Sequence, residues 1–305
     1  AGRGPIHMVT MEAFQDPHLE EVGWENFLGM TISQAVLWAA TDVDPKNENP
    51  ELTTSEPYVM GSHATGSGAW CSGPEDVSPP EYFWGYNRMM TIEGLFGAGD
   101  AVGGTPHAFS SGSFTEGRLS AKAACRYIDD GKGEGIVVSD RRINELKEKV
   151  YKPMEHYKIY RNEVVAGDVN PNYINPRQGL DRLQKLMDEY CGGAGVSYMT
   201  NEKLLGIGLK KLKVMEEDLQ KLAASDFHEL LRAWELMHRH RTAECVTQHT
   251  MFRKETRWPG YYYRGDALKL DDENWHVLTV SRRDPDTGEY TMEKAPVYHL
   301  VKDGE

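Results

Sequence analysis

The sequence predicts an α+β chain that is mainly α, with strands and glycine-rich loops up to residue 138 and long helices from residue 139. Three observations carry this expectation. A glycine-rich stretch at 93–118, EGLFGAGDAVGGTPHAFSSGSFTEGR, joins an apolar β-like run to a helix. From about residue 139 leucines and methionines recur every three or four positions, the spacing of one helix face. The last segment, from Trp258, is aromatic and rich in turn residues, as a terminal strand or hairpin would be.

Taken in order, Ile6 to Thr10 reads as a strand, followed by a loop and a helix from Thr31 to Ala40. Residues 41–57, TDVDPKNENPELTTSEP, form a polar connection broken by prolines. Residues 58–76 read as strand, glycine-rich loop and turn. The run Gly94 to Phe96 then meets glycines at 97, 99, 103 and 104, and a helix is expected from Glu116 to Asp129. Ser139 before Asp140 is a helix start for Arg141 to Tyr160. Leu180, Leu183, Leu186 and Met187 keep helical spacing, as do Leu204, Leu205, Leu209, Leu212 and Met215. Asp226 caps a further helix running to about Phe252, with Glu229 as its capping-box partner. Strands are expected over His276 to Val280 and Tyr290 to Met292.

A length of 305 residues suffices for two or three domains with sizeable cores. The net charge of −13 argues against a broad electrostatic footprint on nucleic acid, while leaving room for a local basic pocket for a small anion. No apolar run approaches the roughly 20 residues that span a bilayer, so no transmembrane segment is expected. AGRGPIHMVTMEAF lacks the apolar stretch of a signal peptide. The four cysteines, Cys71, Cys125, Cys191 and Cys245, contain no C-x-x-C pair. That pattern fits free thiols in a reducing, cytoplasmic compartment and argues against an iron–sulfur cluster ligated by this chain. The first residue is not methionine and AGRGPIHMVT reads as mid-domain sequence, so the chain is expected to be the C-terminal part of something longer.

A glycine-rich strand-to-helix crossing is where backbone can come close to a phosphorylated or redox cofactor. A buried flavin ring needs glycine for that approach, supplied here by Gly99. It needs a carboxylate for the sugar hydroxyls, and Asp100 stands ready. It also needs positive potential at its N1/O2 edge, which the start of the helix after the segment Ser110, Ser111, Gly112, Ser113 and Phe114 offers through backbone N–H groups and the helix dipole, with the serine hydroxyls as added donors. Glu116 would suit the same dipole and serve only stability. Metal chemistry is not supported. His238 and His240 are two apart and do not share a helix face, and in HELLR Arg232 stands where a second ligand of H-E-x-x-H would be.

Five segments carry a resemblance: GLFGAGDAVGGTPHAFSSGSFTEGR, EPYVMGSHATGSGAW, GLDRLQKLMDEY, HELLRAWELMHR and FRKETRWPGYYYRGD. Together they resemble the alpha subunits of the dissimilatory adenylylsulfate reductase family, relatives of the fumarate reductase and succinate dehydrogenase flavoproteins. The resemblance implies a partial FAD-binding flavoprotein: part of a capping domain over 1–90, the C-terminal piece of the FAD-binding domain over 91–138, and a helical C-terminal domain over 139–305. The family's N-terminal G-x-G-x-x-G unit is not in this sequence, so the ADP half of FAD would have its site elsewhere and the isolated chain is expected to be inactive.

The family holds FAD non-covalently and interconverts adenosine 5′-phosphosulfate with AMP and sulfite through a flavin N5–sulfite adduct. Its electrons come from a beta subunit carrying the [4Fe–4S] clusters. By this resemblance His107 matches the active-site histidine, a group able to donate to sulfate oxygens as charge builds. His63 either lies close to the flavin ring or bonds backbone in its turn. Arg3 is either an anion contact or a solvated side chain. Arg257 and Arg264 either bind the phosphosulfate or pair with Asp266, Asp271 or Asp272 to lock the C-terminal segment. Two other readings stand beside this one: a fumarate reductase or succinate dehydrogenase type flavoprotein, from which GGTPHAFSSGS departs, and a non-catalytic helical interaction module.

Overall fold

The computed structural model describes residues 7–30, 32–51, 67–103, 110–135, 137–163, 165, 170–257 and 262–297. The chain divides into two compact units, Ala1–Gly61 and Ser62–Glu305.

The first unit is built on helices α1 (Pro17–Met30) and α2 (Ile32–Thr41). Helix α1 stands where the sequence suggested a loop. Its start is local chemistry: Asp16 accepts from the N–H of His18 at 2.9 Å, and Pro17 occupies the first turn, where a missing N–H costs nothing. Phe14, 4% exposed, and Trp38, 2% exposed, form the core around Trp24, whose ring lies 6.3 Å from Phe14 and 6.1 Å from Trp38. Of the strand expected over Ile6 to Thr10, the described part makes one isolated bridge, His7 to Glu51. Asn49 holds that segment instead, its Oδ1 accepting from the N–H groups of Thr10 at 2.8 Å and Met11 at 3.0 Å.

In the second unit, α3 (Ser110–Asp129) follows the glycine-rich stretch. It begins six residues before the expected Glu116, so Ser110 to Phe114 are themselves helical. Beyond it come α4 (Asp140–Tyr160), α5 (Pro176–Tyr190), α6 (Glu202–Leu219) and α7 (Phe227–Phe252). Each of these four has a side-chain cap. Ser139 accepts from Arg142 N, Asn201 from Leu204 N, and Asn175 with Gln178 forms a reciprocal box. Asp226 accepts from Glu229 N at 2.8 Å, while the Glu229 carboxylate reaches Ser225 N at 2.7 Å, one residue before the cap. Asp226→Ala is expected to cost about 1 kcal/mol, read as a lowered urea midpoint with unchanged slope.

The apolar stripes of α5, α6 and α7 meet in one core: Leu183, Leu186, Leu212, Met215, Leu236 and Ala243. Leu212 is wholly buried. His240, 2% exposed, points inward and shares a hydrogen bond with the Leu212 carbonyl at 2.8 Å. It is a satisfied core histidine, and among the described residues no cluster of metal-ligating side chains occurs.

Strands are few. β1 (Met199–Thr200) pairs in parallel with β2 (Tyr263–Arg264). After a single helical turn, α8 (Asp272–Trp275), β3 (Val277–Arg283) and β4 (Tyr290–Pro296) form an antiparallel hairpin from Val277↔Pro296 to Arg283↔Tyr290. Both hairpin strands run further than their β-branched stretches suggested. Side chains of α7 support them: His249 lies 3.0 Å from Thr279 Oγ1 and 2.9 Å from Ser281 Oγ. Burial, and then the neighbouring Arg253 charge, push the His249 pKa down and favour the neutral ring in this contact. No described helix is long and apolar enough to cross a membrane.

Candidate functional site

The glycine-rich crossing is knit from short bridges rather than long strands. Ala69 pairs in parallel with Val102, Cys71 with Met90, and Met89 with Phe96. Ala69 N–H donates to the Ala101 carbonyl at 2.9 Å, and Gly103 N–H donates to the Ala69 carbonyl at 3.0 Å. The two backbones pass so closely that a Cβ on Gly68 would lie 2.6 Å from Gly103 N and 2.6 Å from the Val102 carbonyl carbon. Only glycine fits such an approach. The Gly94 to Phe96 run is a turn with one bridge, because Gly94 adopts φ +79°.

A 3₁₀ turn, Gly99–Ala101, leads from this layer toward α3 and carries Asp100. Gly99 has φ +66°, a left-handed conformation that favours glycine. Its α-carbon faces the first turn of α3, where a Cβ would lie 3.4 Å from Ser113 Oγ. Ser110 and Ser111 open that helix, Gly112 is half-buried, and Phe114 is 80% exposed. The first turn of α3 contains no acidic side chain, and a helix N-terminus carries positive potential. Glu116, expected in the first turn, lies in the second because the helix starts earlier.

Glu116 has a partner that sequence reasoning missed. Arg88 Nη2 donates to Glu116 Oε1 at 2.8 Å, and Arg88 Nε lies 2.6 Å from Oε2. The two side chains are 17% and 8% exposed. Arg88 itself has φ +63°, uncommon for a residue with a Cβ. Its Nη1 is 3.9 Å from Cys71 Sγ. Burial raises the Cys71 pKa, and the hydrogen bond and charge of Arg88 pull it partly back. Nothing local announces this pair, since its members are 28 residues apart. Beside the crossing lies a cleft of about 470 Å³ walled by Trp70, Tyr82 and Trp84 on one side and by Ser281 and Arg282 of β3 on the other.

Arg257 and Arg264 are engaged with neighbouring groups of the C-terminal segment. Arg264, 1% exposed, donates through Nη1 to the carbonyls of Thr250 at 2.5 Å and Arg253 at 2.7 Å, capping the end of α7. Its Nε and Nη2 grip Asp266 at 3.0 Å each. Arg257 clamps Glu255 through Nε at 2.7 Å and Nη2 at 3.0 Å, and reaches Asp272 through Nη1 at 2.8 Å. Glu255 also receives Arg253 and the N–H of Asp271. Burial works to raise the Glu255 pKa, but the bonds from Arg257, Asp271 and Arg253 outweigh it and hold the carboxylate ionised. Of the two readings of these arginines, the geometry matches the one in which they lock the C-terminal segment. Arg3, His63 and His107 lie outside the described residues, and the aromatic run is described only from Tyr262.

Arg264, with help from the Glu202 N–H, overrides burial and holds the Asp266 pKa at about 2, against an ordinary 3.8. A depressed carboxylate pKa stabilises the fold above the unfolded-state value and loses that contribution as pH falls through the folded one. The lock is therefore expected to lose about 1 kcal/mol between pH 4 and pH 2, allowing for the 35% exposure of Asp266. Urea unfolding across that range checks this, and Asp266→Asn is expected to flatten the dependence.

Residues 180–301 match the family described as fumarate reductase flavoprotein C-term. In the fold alone, a quinol fumarate reductase chain from E. coli is similar, with 22% identity, a TM-score of 0.52, and coverage of 72% of this chain and 36% of that one. More particularly, the chain is a relative of adenylylsulfate reductase alpha subunits. It is 42% identical to adenylylsulfate reductase subunit alpha of Megalodesulfovibrio gigas, over 98% of this chain and 47% of the relative. The solved adenylylsulfate reductase of Archaeoglobus fulgidus matches with 49% identity and a TM-score of 0.84, over 99% of this chain and 49% of that one. A structure of adenosine-5-phosphosulfate reductase in complex with sulfite as a covalent adduct matches equally, with 49% identity and a TM-score of 0.84 over the same shares. The chain thus spans about half the length of these relatives.

Proposed function

We propose that this chain is part of the flavin-bearing alpha subunit of a dissimilatory adenylylsulfate reductase, which interconverts adenosine 5′-phosphosulfate with AMP and sulfite. The observation that carries the reading is the crossing itself: a helix start with no acidic side chain in its first turn beside Gly99, with the backbones at Gly68 and Gly103 closely apposed, within a chain alike over 99% of its length to a reductase. The residues present fit a flavin. In this reading Ser110, Ser111, Gly112, Ser113 and Phe114 face the N1/O2 edge of the ring, Asp100 holds the sugar-chain hydroxyls beside Gly99, and His63 borders the ring. Bound FAD supplies two-electron chemistry at sulfur. His107 donates to the sulfate oxygens, stabilising charge as the sulfur–oxygen bond to AMP breaks. With Arg257 and Arg264 engaged inside the chain, anion recognition falls to His107 and Arg3. An iron–sulfur beta subunit with [4Fe–4S] clusters delivers the electrons, and a cytoplasmic location goes with this assignment.

The test is to produce the complete subunit with its iron–sulfur partner, record the flavin absorbance, and assay AMP- and sulfite-dependent electron transfer. A flavin spectrum with activity on AMP plus sulfite is expected. Turnover of fumarate or succinate in its place, or a stable complex with the partner that holds no flavin, would overturn the proposal.

A further inference from the structure

We infer that the buried Arg88–Glu116 pair is a positioning and charge-tuning device for the N-terminus of α3, and through it for the redox cofactor of the site. The inference rests on the proposed function, because it assumes a flavin at that helix end. The geometry supplies two parts. One hydrogen bond, Nη2 to Oε1 at 2.8 Å, and an ion contact, Nε to Oε2 at 2.6 Å, tie the second turn of α3 to the segment that also bridges to Gly97 through Gly97 N–H and the Arg88 carbonyl at 3.0 Å. The helix start and the Gly99–Ala101 turn are thereby fixed on one frame. The second part is electrostatic. An uncompensated carboxylate one turn into α3 would cancel much of the positive potential that the first turn presents. Arg88 neutralises it at contact distance, where few waters screen the interaction. A left-handed Arg88 backbone, at φ +63°, is retained at some cost in strain, as at other functional positions.

The charges act in opposite senses, and this separates tuning from packing. Arg88→Met leaves the Glu116 carboxylate unbalanced, which disfavours the negatively charged reduced flavin. Glu116→Gln leaves the Arg88 cation unbalanced, which favours it. In the flavin-loaded protein, spectroscopic redox titration is expected to show the reduced-to-oxidised ratio at fixed potential fall at least tenfold in Arg88→Met and rise at least threefold in Glu116→Gln. Tenfold corresponds to about 30 mV for a two-electron couple. Arg88→Lys, which keeps the charge without the guanidinium, is expected to stay closer to the unsubstituted protein than Arg88→Met. The neutral double variant Arg88→Met/Glu116→Leu, in which both partners become apolar, retains packing and is expected to return the ratio toward its starting value. It also serves should Arg88→Met alone fail to fold. Shifts of the same sign in both single variants, or none in folded, flavin-bearing variants, would overturn the inference and leave the proposed function standing. An unsubstituted subunit that binds no flavin would overturn both.

Discussion

Arg264→Met is expected to destabilise the chain by about 4 kcal/mol, more than other substitutions of charged residues in the C-terminal segment. The side chain is 1% exposed, and every nitrogen of its guanidinium is used. Removing it leaves the carbonyls of Thr250, Met251 and Arg253 at the end of α7 without their shared donor, and leaves Asp266 unpaired beside Glu202. Each buried acceptor left without a donor carries a desolvation cost of its own. Arg264→Lys is expected to recover less than half of the loss, because an ammonium is a point charge and cannot reproduce the planar fork. Urea unfolding followed by circular dichroism checks this. A loss under 1 kcal/mol would mean that β1, β2 and the α7 end hold together without the arginine.

Gly68→Ala is expected to cost about 3 kcal/mol, at the upper end for overpacking, and to weaken flavin retention more than tenfold in the complete subunit. The new methyl would meet Gly103 N and the Val102 carbonyl carbon at 2.6 Å, and the Ala101 carbonyl oxygen at 2.8 Å. These are backbone atoms and cannot rotate away, so Ala69 and Val102 must separate and their bridge opens. The Gly99–Ala101 turn is the next element along that backbone and moves with it. Thermal unfolding measures the first effect and flavin titration the second. Loss of stability with undiminished flavin affinity would show that the crossing is structural only.

How far the sequence reveals this arrangement depends on how local the determining interactions are. Helices α4 to α7 are legible because their signals sit within a few residues: Ser139 and Asp226 cap α4 and α7, and leucines recur at helical spacing in α5 and α6. Helix α1 is not legible although Asp16 followed by Pro17 is a helix start, because Gly23 and the mixed polarity of PHLEEVGWENFLGM blur its apolar face. The early start of α3 was not legible. Serine and glycine are poor helix formers, so SSGSF reads as loop until the close packing of the Gly99–Ala101 turn on α3 and the grip of Arg88 on Glu116 are present.

The amino-acid order by itself determined the caps, the helical stripes, the glycine pattern of the crossing and the kinship with reductase alpha subunits, since each is written in neighbouring residues. Only the tertiary structure decided the partners of the buried charges. Arg88 meets Glu116 across 28 positions, and Arg264 meets the end of α7 across 11 to 14. The sequence left Arg264 with two roles and Glu116 with a dipole to complement. Folding gave the first a helix end to close and the second a cation to balance, because a charge leaving water must find its counter-charge wherever the chain brings one.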